Sequence, residues 1–199
     1  SPYVQVANSI GSLAIQLSKG QMSQIKLKVE GDLAGHDTTI LKSAALMGVL
    51  GSITDERINL VNASLMASNK GLVVTEEKDT LPQPYGSLVS VEIITDNEPT
   101  TVSGTLIRGE TRLIRVDQYW VDIVLSGGGM LFTYHTDSPG LIGSVGTICG
   151  EHDINISFME VGRLAPRGRA MMVIGLDDPI PNEVLQKILA IPNVGRGQL

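Results

Sequence analysis

From Met130 to Leu199 the hydrophobic pattern changes period in a fixed order, and that order restricts the available folds more than any other feature. Met130–Thr136 reads as a strand, and Leu141–Gly150 then sets Leu141, Ile142, Val145, Ile148 and Cys149 on one helical face. Ile154–Val161 and Ala170–Leu176 read as strands joined by the turn Leu164–Gly168. Pro181 sits at a favoured first-turn position of a second helix, whose face is Val184, Leu185, Ile188 and Leu189. Asn193–Leu199 leaves room for a last short strand. The order is βαββαβ. A unit of about 70 residues has a thin core and commonly needs a partner surface.

Residues 1–127 have a different habit. Tyr3, Ala7, Ile10, Leu13, Ala14 and Leu17 recur at helical spacing, with Ser1 as a cap, Pro2 in the first turn and Gly20 as a stop. Gln24–Glu30 alternates as a half-buried strand does. Thr38–Gly51 reads as a helix capped by Asp37 or Thr38, and Asn59–Asn69 as another, ended at Gly71. Strand-like runs follow at 72–76, 87–95, 100–108, 112–116 and 119–125, divided by short turns. A meander of adjacent antiparallel strands packed on helices fits this best. The fold class is therefore α+β, an antiparallel-sheet and helix domain over 1–127 and a ferredoxin-like domain over 128–199, with Gly127-Gly128-Gly129 as connector. Those glycines lead into a strand, whereas a dinucleotide fingerprint needs G-x-G-x-x-G between strand and helix.

Composition excludes several functions. The 199 residues carry a net charge of −6 and only 4% aromatics, against the basic patches and stacking platforms of nucleic-acid binders. Cys149 is the single cysteine, so there is no intramolecular disulfide and no cysteine-based zinc site. Residues 1–18 are too interrupted by Ser, Gln and Asn for a spanning helix and lack the form of a secretory signal. A cytoplasmic protein is expected. The chain lacks an initiator methionine and opens directly into a helix, which suggests a piece of something longer, a processed chain or an edited start.

Catalytic constellations are hard to assemble: there is no Walker loop, G-x-S-x-G or H-E-x-x-H. His36 and His152 lie in polar turns and read as surface loop residues. His135 is different, because Thr136-Asp137-Ser138-Pro139-Gly140 turns the chain from a strand into a helix. The first N–H groups of that helix are unpaired and partly positive, which suits a carboxylate. His135 and Asp137 border this place, Asp137 suits an ammonium group, and Asn155 offers an amide. This is a site for a small zwitterion, or else Asp137 is a turn residue and Asn155 merely opens a strand. Gly140, Gly143 and Gly146 repeat every three residues, for close approach of a ligand or partner helix or for packing on the sheet. Arg108, Arg112 and Arg115 read as solvated strand residues or, at Arg112, as an anion contact.

The run His135-Thr-Asp-Ser-Pro-Gly-Leu-Ile-Gly-Ser-Val-Gly-Thr-Ile-Cys-Gly150, followed by Asp153-Ile-Asn-Ile-Ser-Phe-Met-Glu-Val-Gly-Arg163, resembles an ACT domain of the type at the end of bacterial D-3-phosphoglycerate dehydrogenases. Val61-Asn-Ala63, Ser103-Gly-Thr105, Val116-Asp117 and Val121-Asp122 resemble the intervening, allosteric substrate-binding domain of the long form of that family. The resemblance implies a parent enzyme that oxidises 3-phosphoglycerate with NAD at the first step of serine synthesis. It implies L-serine as a feedback inhibitor between two ACT domains joined side by side, in a dimer or tetramer. His135, Asp137 and Asn155, with backbone at Leu141 and Ile142, are the implied serine contacts. Some members hold an anion on the intervening domain. Arg112 matches one of its basic residues, while Val124 and Gly175 stand in the places of two others. The nucleotide motif and the catalytic residues have no counterpart here, so no cofactor is expected in this chain. The alternatives are a purely structural oligomerisation module and the similar domain pair of bacterial L-serine dehydratases, whose iron–sulfur cluster a single cysteine cannot hold.

Overall fold

Two helices that touch backbone to backbone open the chain. In a computed structural model, which describes residues 2–198, α1 spans Tyr3–Leu17 and α2 spans Thr39–Gly51. The capping role read for Ser1 lies outside the described residues. A Cβ on Gly11 would overlap the carbonyl oxygen of Ala45, and one on Gly48 that of Asn8. Only glycine permits so close a crossing. α1 buries Val6, Ala7, Ile10, Ala14 and Leu17, and Ile10 and Val6 lie against Gly104 of the sheet below.

The chain divides into two compact units, one running to Asp117 and including Asp122–Ser126, the other made of Gln118–Val121 and Gly127 onward. The first sheet has six strands, β1 (Met22–Gly31), β2 (Val73–Asp79), β3 (Ser87–Thr95), β4 (Thr100–Ile107), β5 (Glu110–Val116) and β6 (Tyr119–Val124), in the order β2-β1-β3-β4-β5-β6. Along β1 the alternation is strict: Ile25, Leu27 and Val29 are buried, while Lys26 and Lys28 face Glu77 at 2.7 and 3.7 Å.

The antiparallel meander holds from β3 to β5, but β2 pairs parallel to β1. The link between them contains α2 and a third helix, and a helical crossover returns the chain to the end from which it left. That third helix, α3, spans Ala63–Asn69 and starts four residues later than the pattern suggests. The Asn59 side chain accepts the N–H groups of Val61 and Asn62, and the Asn62 side chain accepts that of Asn59, so the segment closes as a turn. Of the two caps read for α2, Asp37 accepts the N–H of Thr39 at 2.9 Å, whereas the Thr38 hydroxyl donates to Glu76.

The second unit holds β7 (Gly129–Thr136), α4 (Leu141–Glu151), β8 (Ile156–Arg163), β9 (Arg169–Leu176), α5 (Asn182–Leu189) and β10 (Val194–Gln198). Its sheet runs β10-β7-β9-β8, all neighbours antiparallel, which is the ferredoxin-like order. Leu131, Met172, Ile174, Val145, Cys149, Val184 and Ile188 fill the core between sheet and helices. Pro181 caps α5 from an extended conformation, one place outside the first turn. Ile142 is not on the buried face of α4: it is 55% exposed, because the face narrows to Leu141, Val145 and Cys149 at four-residue spacing. A Cβ on Gly143 or Gly146 would meet nothing in the chain, so packing on the unit's own sheet does not require either glycine. No described helix is long and apolar enough to cross a membrane.

Gly48→Ala should lower stability by on the order of 1–3 kcal/mol, because neither helix backbone can yield without moving the other. Gly143→Ala should raise it by about 0.5–1 kcal/mol through helix propensity. Urea unfolding midpoints of the two variants check both signs.

Candidate functional site

The register of the second sheet assembles a site at one end. His135 of β7 and Arg163 of β8 are both paired with Ala170 of β9, one on either side. The chain leaves β7 through Asp137, Ser138 and Pro139 and enters α4 over Gly140, whose φ of 87° glycine supplies without strain. The N–H of Leu141 donates to the Ser138 carbonyl at 3.5 Å and that of Ser144 to the Gly140 carbonyl at 2.9 Å, and the N–H groups between them have no partner within the helix.

Asp137 is held firmly. Its N–H donates to the Gly168 carbonyl at 2.8 Å. Its Oδ2 accepts the N–H of Arg167 at 3.1 Å and Nη1 of Arg163 at 3.2 Å. Arg167 takes a left-handed φ of 59° in the β8–β9 turn, and this turn directs its N–H at the carboxylate. The Arg167 N–H first, and the Arg163 guanidinium second, hold the Asp137 carboxyl below the ordinary range. His135 is 7% exposed, and burial lowers its pKa against the opposing pull of Asp137. Near neutral pH the site therefore contains a carboxylate and a neutral imidazole. The imidazole Nδ1 is buried and no described residue meets it in good hydrogen-bond geometry, although the Thr133 backbone is near enough to oppose the depression of its pKa. A cleft of about 210 Å³ is lined by His135, Asp137, Ser138, Leu141, Ile142, Val161 and Arg163. A second hollow of about 280 Å³ adjoins it across Asp137, Ser138 and Arg163 and is lined further by Pro139, Pro166 and Arg167.

A family model of the D-3-phosphoglycerate dehydrogenase intervening domain matches residues 1–117, and one of the ACT domain matches residues 129–193. The chain belongs to the D-3-phosphoglycerate dehydrogenase family. It is 36% identical over 97% of its length to a D-3-phosphoglycerate dehydrogenase of Synechocystis, covering 35% of that protein. It is 34% identical to the enzyme of Methanocaldococcus jannaschii and 31% to that of Bacillus subtilis, in each case over 97% of this chain and 36% and 37% of the relative. The chain thus spans little more than a third of the length of these relatives.

The cleft lies within the ACT domain, and His135, Asp137, Leu141 and Ile142 all line it. Asn155 does not. It precedes β8, whose first residue pairs with Leu176, six residues along β9 from Ala170 and about 20 Å away at strand rise. Its amide donates to Asp177 at 2.5 Å instead. Val161, Arg163 and the Arg167 N–H escaped the sequence reading, since residues 164–168 look like a plain connector and only the register carries Arg163 to Asp137.

In the intervening domain, Arg112 donates to Asp122 at 2.8 Å and to Glu110 at 3.1 Å, and an incoming anion would have to displace a carboxylate. His152 closes the end of α4, with Nδ1 donating to the Ile148 carbonyl and Nε2 accepting from Lys187 at 2.9 Å. Among the described residues no group of three or more His, Cys, Asp and Glu is placed to hold a metal.

Because burial depresses the pKa of His135 below its unfolded value near 6.5, this residue contributes stability that is present above pH 6.5 and lost as pH falls through the folded pKa. Denaturant midpoints should therefore rise across the window below pH 6.5. In His135→Gln that part of the slope should vanish, and an unchanged slope would show that His135 is not the titrating group.

Proposed function

We propose that the chain is the regulatory part of a D-3-phosphoglycerate dehydrogenase and that its ACT domain binds a small amino acid, L-serine first among the candidates. The observation that carries this reading is the buried Nδ1 of His135, which no described residue meets in good hydrogen-bond geometry, beside an anionic Asp137, in a cleft at the start of α4. The N–H groups take the effector's carboxylate, Asp137 takes its ammonium group, and His135 takes a hydroxyl. In the whole enzyme NAD and 3-phosphoglycerate belong to catalytic domains. The Gly127–Gly129 run enters β7 and not a helix N-terminus, so these glycines do not fit a dinucleotide.

Two copies complete the site. β8 is an edge strand, and its unpaired side is a template for another strand. Antiparallel pairing of two β8 strands about a centre between Met159 and Glu160 sets Asn155 of the partner subunit opposite Leu164, beside the cleft. The effector then favours one arrangement of the pair through its differential affinity, and so biases the attached enzyme. The domain boundary belongs at Gly127–Gly129, at the foot of β7.

A purely structural module is the second reading, favoured by the two bonds that Asp137 already makes within its own chain. Calorimetric titration with L-serine separates the two. Saturable heat at millimolar ligand, lost in Asp137→Ala, is expected; no heat would favour the structural module. Asn155→Ala should also abolish binding, although Asn155 is remote from the cleft within one chain. Mixing equal amounts of the Asn155→Ala and Asp137→Ala chains should restore one intact site per mixed dimer, about a quarter of the wild-type stoichiometry once the subunits have exchanged at random. A mixture that stays inactive in binding would exclude a site shared between copies.

A further inference from the structure

The Asp137–Arg163 pair has a feature that orientation of Asp137 alone does not require. Both hydrogen bonds to the carboxylate fall on Oδ2, one from Arg163 Nη1 and one from the Arg167 N–H, and Oδ1 carries none among the described residues. Arg163 spends a single donor on this contact and is about half exposed, so its planar guanidinium keeps a two-donor edge of the kind that matches a carboxylate. The side chain also lines the same cleft as His135 and Leu141. The cleft therefore presents an open acceptor and an open cationic fork side by side, with a buried imidazole nitrogen that no described residue meets in good hydrogen-bond geometry.

We propose that Arg163 is the specificity-determining residue of this cleft: its guanidinium shares the effector's carboxylate with the first N–H groups of α4, while Oδ1 of Asp137 receives the ammonium. The inference rests on the amino-acid reading given above and adds the residue that reads the carboxylate. A ligand with an ammonium but no carboxylate meets Asp137 and leaves the fork unused. A ligand with a carboxylate but no ammonium brings a second anion against Asp137. Leu141, Ile142 and Val161 form the apolar wall beside these charges.

The test is calorimetric titration of the full 199-residue chain and its Arg163→Gln and Arg163→Lys variants with L-serine, glycine and ethanolamine, the last read by competition. The unsubstituted chain should prefer both amino acids to ethanolamine by at least about tenfold, the order expected for one charge-assisted contact. Arg163→Gln should lose about tenfold on L-serine and glycine with ethanolamine unchanged, and Arg163→Lys should recover part of the loss. Three results would overturn the assignment: equal affinity of the unsubstituted chain for ethanolamine and L-serine, undiminished L-serine binding by Arg163→Gln, or a proportional loss of all three ligands, which would make Arg163 a residue that only orients Asp137. If the unsubstituted chain binds none of the three, the amino-acid reading itself fails and this inference with it. Far-UV circular dichroism of each variant separates these outcomes from loss of fold.

Discussion

The antiparallel register through Ala170 is the constraint on which the ACT-domain site depends. By pairing with both β7 and β8, Ala170 places His135 and Arg163 at one end of the sheet, although 28 residues separate them along the chain. The positions of Asp137, the start of α4 and the β8–β9 turn follow from that single alignment. Because side chains alternate faces with a period of two, a slip of one residue would turn His135 away from its present side of the sheet and disperse the cleft.

The cleft combines charge and burial. Asp137 is kept ionised by an N–H and a guanidinium, and His135 is kept neutral by burial. The carboxylate and the Arg163 guanidinium that pairs with it set opposite charges side by side at the mouth of the cleft. The turn that supplies the Arg167 N–H does so from a left-handed φ, which for a side chain as long as arginine is a local cost borne at the site. In the intervening domain the corresponding constraint is steric. Gly11 and Gly48 bring α1 and α2 into backbone contact, and Gly104 lets Ile10 and Val6 settle on β4.

Much of this was legible in the residues. The βαββαβ order follows from hydrophobic period and turn chemistry, because each strand and helix there is long enough to declare its period. His135, Asp137 and the start of α4 were legible as well, being consecutive along the chain. The parallel β1–β2 pairing was not, since local pattern cannot tell which edge of β1 a later strand will take. Nor was the late start of α3, where the side chains of Asn59 and Asn62 outbid the helix for backbone N–H groups. Ile142 looked buried because a wide apolar face and a narrow one share most positions in a single helix.

The sequence by itself determined the family, the α+β class, the order of elements and the short segment from His135 to Ile142, all of which are encoded by neighbours. Tertiary structure alone decided that Arg163 and the Arg167 N–H meet Asp137, that Asn155 lies at the far end of the sheet, and that Arg112 is held by two carboxylates. These depend on strand register and on hydrogen bonds between distant residues, which arise when the chain folds and have no signature in the spacing of residue types.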